Sequence, residues 1–120
     1  MAGTEQAEQP DQLSVVSTTT DGVRVLTLAG EIDHHTGDRL RRALDTSGVP
    51  RPRVVLDLGR VTFMDSSGIN LLIAAHHAVT GAGGWLRLAA PTEPVLRTIR
   101  LVGLDTVIDC CPTLHQAISA

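Results

Sequence analysis

The chain reads as an α/β domain: a mostly parallel sheet with an N-terminal antiparallel hairpin strand and about four helices. Three observations predict it. Short runs of Val, Leu and Ile alternate with segments of helical period. Turn and stop residues fall between them, at Asp21-Gly22, Gly48 with Pro50, Gly81 and Gly103. With Phe63, Trp85 and no Tyr, the core has to be aliphatic, which suits parallel strands covered by helices.

Residues 1–12 are polar, with Gly3, Pro10 and several Glu and Gln, and are expected to form a flexible tail. A strand over about Leu13–Thr19 meets the Asp21-Gly22 hairpin turn. The next strand, Val23 to Gly30, sets Val23, Val25, Thr27 and Ala29 on one face and Arg24, Leu26 and Leu28 on the other, so both faces are expected to be partly covered. Leu40, Ala43, Leu44 and Ser47 then recur at helical spacing, with Thr36 as N-cap, Asp38 in the first turn and Gly48-Val49-Pro50 as the stop.

Arg53 to Leu58 reads as a buried strand. Ile69 to Thr80 reads as a helix with Ile69, Leu72, Ile73 and His76 on one face. Trp85 to Ala90 is the following strand. A helix over Thr92–Val102 is capped by Thr92, packs through Val95, Ile99 and Val102, and ends at Gly103. A short strand, Thr106 to Ile108, precedes a last helix from about Pro112, with Leu114, Ala117 and Ile118 inward. This β-β-α-β-α-β-α-β-α order implies right-handed parallel crossovers. The segments Glu31–His35 and Phe63–Gly68 then emerge together at the carboxyl ends of neighbouring strands, where open α/β sheets place functional groups.

A length of 120 residues leaves room for one domain. The formal charge of −3, with no basic stripe, argues against a nucleic-acid partner. The apolar stretch Ile69 to Ala75 is broken by Asn70 and is far shorter than a bilayer span, so no membrane partner is expected. The adjacent Cys110 and Cys111 lack C-x-x-C spacing and read as reduced thiols of a cytoplasmic protein.

The chemistry concentrates in Asp65-Ser66-Ser67-Gly68. Asp and Ser are preferred N-caps, and capping alone explains part of this tetrapeptide. Yet three oxygen-bearing side chains and a glycine crowd one helix start, and Glu31 and Asp33 are expected across the loop ends. A phosphate on Ser66 would add about −1.5 to −2 charge where helix N–H groups and the dipole tolerate it. A partner packed over the loop would instead meet a dianion beside Asp33 and Asp65.

Gly30-Glu31-Ile32-Asp33-His34-His35-Thr36, then Phe63-Met64-Asp65-Ser66-Ser67-Gly68-Ile69, then Leu101-Val102-Gly103-Leu104, resembles the STAS family, and within it the bacterial anti-sigma factor antagonists. The resemblance implies one STAS domain over residues 13–120. It implies a binding protein without catalytic residues, metal or cofactor of its own. Ser66, the serine after the Asp, would be the phosphorylation site. The implied partners are an anti-sigma factor that is also a serine kinase, whose ATP and Mg²⁺ serve the transfer, and a serine phosphatase. The unmodified form would bind the anti-sigma factor and release a sigma factor.

Asp33, Asp65, Ser66, Ser67, Gly68 and Ile69 are the candidate partner-binding residues. Asp65 would fix the loop, Ser67 would remain as a cap when Ser66 is modified, and Gly68 would permit close backbone approach. Asp33 would shape the docking surface or serve as a helix-start acid. Glu31 reads as structural, and Met64 and Ile69 as partner contacts or core. Asn70 departs from the small residue common in that family. An alternative within the resemblance is a STAS interaction module of a stress-signalling complex without a sigma factor.

Two other chemistries are disfavoured. A serine hydrolase would require a glycine two residues before its nucleophile, where Met64 or Asp65 stands. Paired ligands at His34-His35, His76-His77 or Cys110-Cys111 diverge on any regular element.

Overall fold

The computed structural model describes residues 12–119. The expected tail falls almost wholly on residues 1–11, outside the described residues. Gln12 is described, and its carbonyl accepts from the Glu31 N–H at 2.7 Å.

The element order is β1 (Leu13–Thr20), β2 (Val23–Ile32), α1 (Gly37–Ala43), β3 (Arg53–Met64), α2 (Ser66–Gly81), β4 (Trp85–Ala89), α3 (Glu93–Val102), β5 (Asp109–Cys111) and α4 (Leu114–Ser119). They form a five-stranded sheet in the order β1-β2-β3-β4-β5. The β1–β2 pair is antiparallel and the other pairs are parallel. The hairpin turn takes positive φ at both central residues, 52° at Asp21 and 78° at Gly22, as the strand twist requires of a two-residue turn.

Both sheet faces are covered. Leu26, Leu28, Val54, Leu56 and Leu58 meet Leu40 of α1, Leu72 and Val79 of α2, and Val95 and Ile99 of α3 in one core. Val23, Val25, Val55 and Ala89 meet Ala117 of α4 on the other face. Arg87 fastens that second layer: its guanidinium lies 3.7 Å from the Trp85 ring centre and donates to the Ala117 carbonyl at 2.9 Å.

Several sequence expectations move. β3 continues six residues beyond Leu58 because it is bulged: Thr27 pairs with Asp57 but Ala29 with Arg60, and Gly30 pairs with Val61 but Glu31 with Phe63. The bulges return Leu58, Val61 and Met64 to the core at a spacing of three, which conceals a strand from a search for alternation. α1 stops at Ala43, so Ser47 is not on it; Ser47 instead donates its N–H and hydroxyl to the Asp45 carboxylate.

Thr92 sits at the N-cap position of α3, but its hydroxyl donates to the Val61 carbonyl at 2.7 Å rather than capping the helix. Val102, expected to pack, is 56% exposed. The segment expected as a strand over Thr106–Ile108 begins with a 3-10 turn, Leu104–Thr106, and the strand falls three residues later, on the two cysteines.

Leu56 is fully buried at the centre of the sheet, whereas Leu101 is 80% exposed. Leu56→Ala should lose about 2–5 kcal/mol of stability through lost burial and a cavity. Leu101→Ala should stay within about 0.5 kcal/mol. Urea unfolding followed by circular dichroism measures both.

Candidate functional site

The long β2–β3 pairing brings the candidate residues together. Ile32 is the register partner of Met64, so Asp33 and Asp65 leave the sheet from adjacent strand ends. The Asp65 N–H extends the ladder by donating to the Ile32 carbonyl at 3.2 Å. The chain then turns directly into α2.

The helix begins at Ser66, three residues earlier than Ile69, because Asp65 is the N-cap. Its Oδ1 accepts from the Ser67 N–H at 2.9 Å and the Gly68 N–H at 3.4 Å. The cap assigned to Ser67 from sequence therefore belongs to Asp65, and Ser67 lies half-buried within the first turn. Gly68 is buried, and a Cβ there would sit 2.7 Å from both Ile32 Cγ2 and Met64 Cγ. The close approach expected of Gly68 is thus between the helix start and those two side chains.

Asp33 organises the neighbouring loop. Its Oδ1 accepts from the backbone N–H of His35 at 2.9 Å and of Thr36 at 3.1 Å. The Thr36 hydroxyl accepts from the Asp33 N–H at 2.9 Å and donates to the Glu31 carbonyl at 3.0 Å. Thr36 stands at the N-cap position of α1, but its hydroxyl fastens the loop to the end of β2 rather than bonding a helix N–H. Partial desolvation pushes the Asp33 carboxyl upward, but the N–H bonds from Thr36 and His35, the nearby His35 charge and the Thr36 hydroxyl outweigh it. They hold the carboxyl below the ordinary value of 3.8. Glu31 contributes through its backbone, while its side chain is exposed.

Four side chains divide by exposure. Met64 and Ile69 are core residues at 4% and 8% exposure, so neither is a surface contact. Ser66 and Asn70 are exposed. Phe63, quoted in the motif but not among the candidate contacts, is 47% exposed on the face opposite Met64. The signal for it was the Phe63-Met64 step itself, because neighbouring strand residues point to opposite faces.

No histidine is hydrogen-bonded to Ser66 or Ser67 among the described residues. The rings of His34 and His35 lie 4.0 Å apart, and no described group of three or more His, Cys, Asp or Glu is placed to hold a metal ion. No described helix is long and apolar enough to cross a membrane.

The fold and site define a single-sheet α/β domain that presents an exposed serine, at the start of an aspartate-capped helix, at the carboxyl ends of the neighbouring strands β2 and β3. The chain belongs to the STAS domain family, which it matches over residues 14–117. The anti-sigma-F factor antagonist RsfB of Mycobacterium tuberculosis is 32% identical over 111 residues, covering 92% of this chain and 90% of the relative. The crystal structure of an anti-sigma factor antagonist from Mycobacterium paratuberculosis is 31% identical with a TM-score of 0.82, covering 92% of this chain and 95% of that one. The anti-sigma factor antagonist SpoIIAA in its unphosphorylated form is 25% identical with a TM-score of 0.69, covering 88% and 93%.

Asp65→Ala removes the acceptor of two helix N–H groups and should cost about 1 kcal/mol. Asp65→Asn should recover most of that in thermal unfolding. In an NMR titration the Asp33 carboxyl should titrate below the ordinary aspartate value. Because its folded value is depressed, its stabilising contribution is complete above the ordinary carboxylate range and is lost as pH falls through the folded value.

Proposed function

We propose that this chain is a cytoplasmic anti-sigma factor antagonist switched by phosphorylation of Ser66. The unmodified protein docks through the Ser66 end of the sheet onto an anti-sigma factor that is also a serine kinase, and so frees a sigma factor. The kinase brings its own ATP and Mg²⁺, and a serine phosphatase restores the hydroxyl. The chain itself catalyses nothing and carries no cofactor.

The observation that carries this reading is the exposure of Ser66 beside engaged neighbours. Of Asp65, Ser66, Ser67 and Gly68, it alone is exposed. Asp65 has already satisfied the N–H groups of Ser67 and Gly68. The Ser66 hydroxyl is therefore not needed to hold the helix start, and it is open to a kinase. The likeness to anti-sigma factor antagonists supports the sigma-factor context, and that to SpoIIAA in its unphosphorylated form supports a phosphorylation cycle.

The energetics favour a switch at the interface rather than in the fold. A phosphate at the first turn of α2 gains from the helix dipole by about 0.3–1 kcal/mol. It also stands beside the carboxylates of Asp65 and Asp33, so the combined charge opposes any apolar or acidic surface laid over it. Phe63, exposed at the same end of β3, supplies an apolar contact in place of Met64 and Ile69. Asp33, Asp65 and Ser67 serve that surface by fixing its shape, and Gly68 by letting α2 start close to β2 and β3.

Ser66→Ala should keep the unfolding midpoint and should bind the anti-sigma kinase with no loss on incubation with ATP. Ser66→Asp should weaken that binding about tenfold or more, a change of about 1.4 kcal/mol. Calorimetry with the partner captured by unmodified protein measures both, with intact-mass analysis and peptide mapping over residues 61–70. Phosphate found on Ser67 or Thr62 instead, or no kinase among the captured partners, would sink the assignment.

A further inference from the structure

β1 forms an edge that lacks the usual protection. Among the described residues it has a neighbour on one side only. Its eight residues, LSVVSTTT, include no charge and no proline, and all pair with β2 without a register shift. Sheets ordinarily blunt such an edge with charges, proline or a bulge, or keep it very short. The opposite edge, β5, follows that practice with three residues.

One hydrogen bond gives the direction of the free groups. The Gln12 carbonyl accepts from Glu31, and hydrogen-bonded pairs in an antiparallel ladder recur at every second residue. Ser14, Val16, Thr18 and Thr20 therefore bond to β2. The N–H and C=O groups of Val15, Ser17 and Thr19 point outward. The Leu13 carbonyl points outward too, but the Arg39 guanidinium donates to it at 2.5 Å.

We propose that β1 pairs antiparallel with β1 of a second copy, about a two-fold axis through Ser17. The register follows from the free groups. Centring the axis on Val15 would draw in Leu13, whose carbonyl is taken, and centring it on Thr19 would run the ladder into the Asp21-Gly22 turn. With Ser17 on the axis, Val15 of each copy bonds to Thr19 of the other. On the α4 side of the sheet Val16, 55% exposed, lies opposite Thr18 of the second copy. That is a β-branched pair at the close, non-hydrogen-bonded spacing.

The same register sets Leu13, with Arg39 upon its carbonyl, opposite Asp21 of the second copy. Opposite charges thus meet at both ends of the contact, while beside the axis the Arg24 Nε of each copy donates to its own Ser17 hydroxyl at 3.3 Å. An isologous contact requires one surface to complement itself, and this arrangement does so in hydrogen bonding, side-chain shape and charge.

Sedimentation velocity of the full chain from about 1 μM to 1 mM tests the pairing, over the range of affinities open to a small interface. The expected result is a reversible dimer. Ser17→Lys places two ammonium groups on the axis and gives up the Arg24 bond to the Ser17 hydroxyl; it should weaken the dimer at least about tenfold, whereas Ser17→Ala, which gives up the same bond without adding charge, should keep the dimer. Asp21→Asn, which suits the positive φ of the turn, should weaken it by a smaller factor. Hydrogen exchange should show protection of the Val15, Ser17 and Thr19 amides rising with concentration. A chain that stays monomeric throughout overturns the proposal. So does a dimer that Ser17→Lys leaves intact, or one whose protection maps to the exposed Leu101, Val102 and Val107.

Discussion

The carboxyl end of this sheet depends on one constraint: β2 and β3 stay paired well past the point where β4 ends. Asp57 is the last β3 residue with a partner in β4, Ala89, while the β2–β3 ladder continues to Ile32 and Met64. That continuation places Asp33 and Asp65 side by side. Asp65 donates its N–H to β2 and accepts two helix N–H groups with its carboxylate, so one residue ends the strand, aims the helix and leaves Ser66 outermost. If β3 ended at Leu58, the six residues before Asp65 would be loop, and the serine would ride on a mobile tether.

The placement of helices follows the same parallel wiring. α1, α2 and α3 share one face because successive right-handed crossovers step along the sheet in one direction. α4 follows the last strand, crosses back and covers the other face. The helix layer is therefore built over the strands that carry the site, and the start of α2 is pressed onto them by Ile69 and Leu72. The close fit at Gly68 reflects that pressure: an added methyl would gain about 1 kcal/mol in helix propensity but meet two core side chains.

Much of this was legible in the residues. The Asp21-Gly22 turn, the two-faced β2 strand, the core positions Val95 and Ile99, and the inward Ala117 all follow local rules of period and turn chemistry. The order of elements and the fold class follow from those signals. What sequence obscured has a common cause, the use of one residue type for two purposes. Ser66, Ser67 and Gly68 are poor helix formers, so the start of α2 looked like loop until Asp65 was seen to cap it. Thr36 and Thr92 stand where caps belong, but spend their hydroxyls on strand carbonyls. The bulges in β3 replaced alternation by a spacing of three. The crowding of Asp65, Ser66, Ser67 and Gly68 was visible; that only Ser66 of the four is exposed was not.

The bond from Thr92 to Val61 has a mechanical consequence. Aliphatic contacts such as those of Val95 and Ile99 hold a helix against a sheet but resist sliding only through shape. A directed hydrogen bond to a strand carbonyl supplies the missing coordinate. Val61 is fully buried, so drawing α3 away would strand its carbonyl at a cost of about 1–3 kcal/mol. The hydroxyl thus works as a locating pin: it indexes the third helix against the very stretch of β3 that leads into the serine.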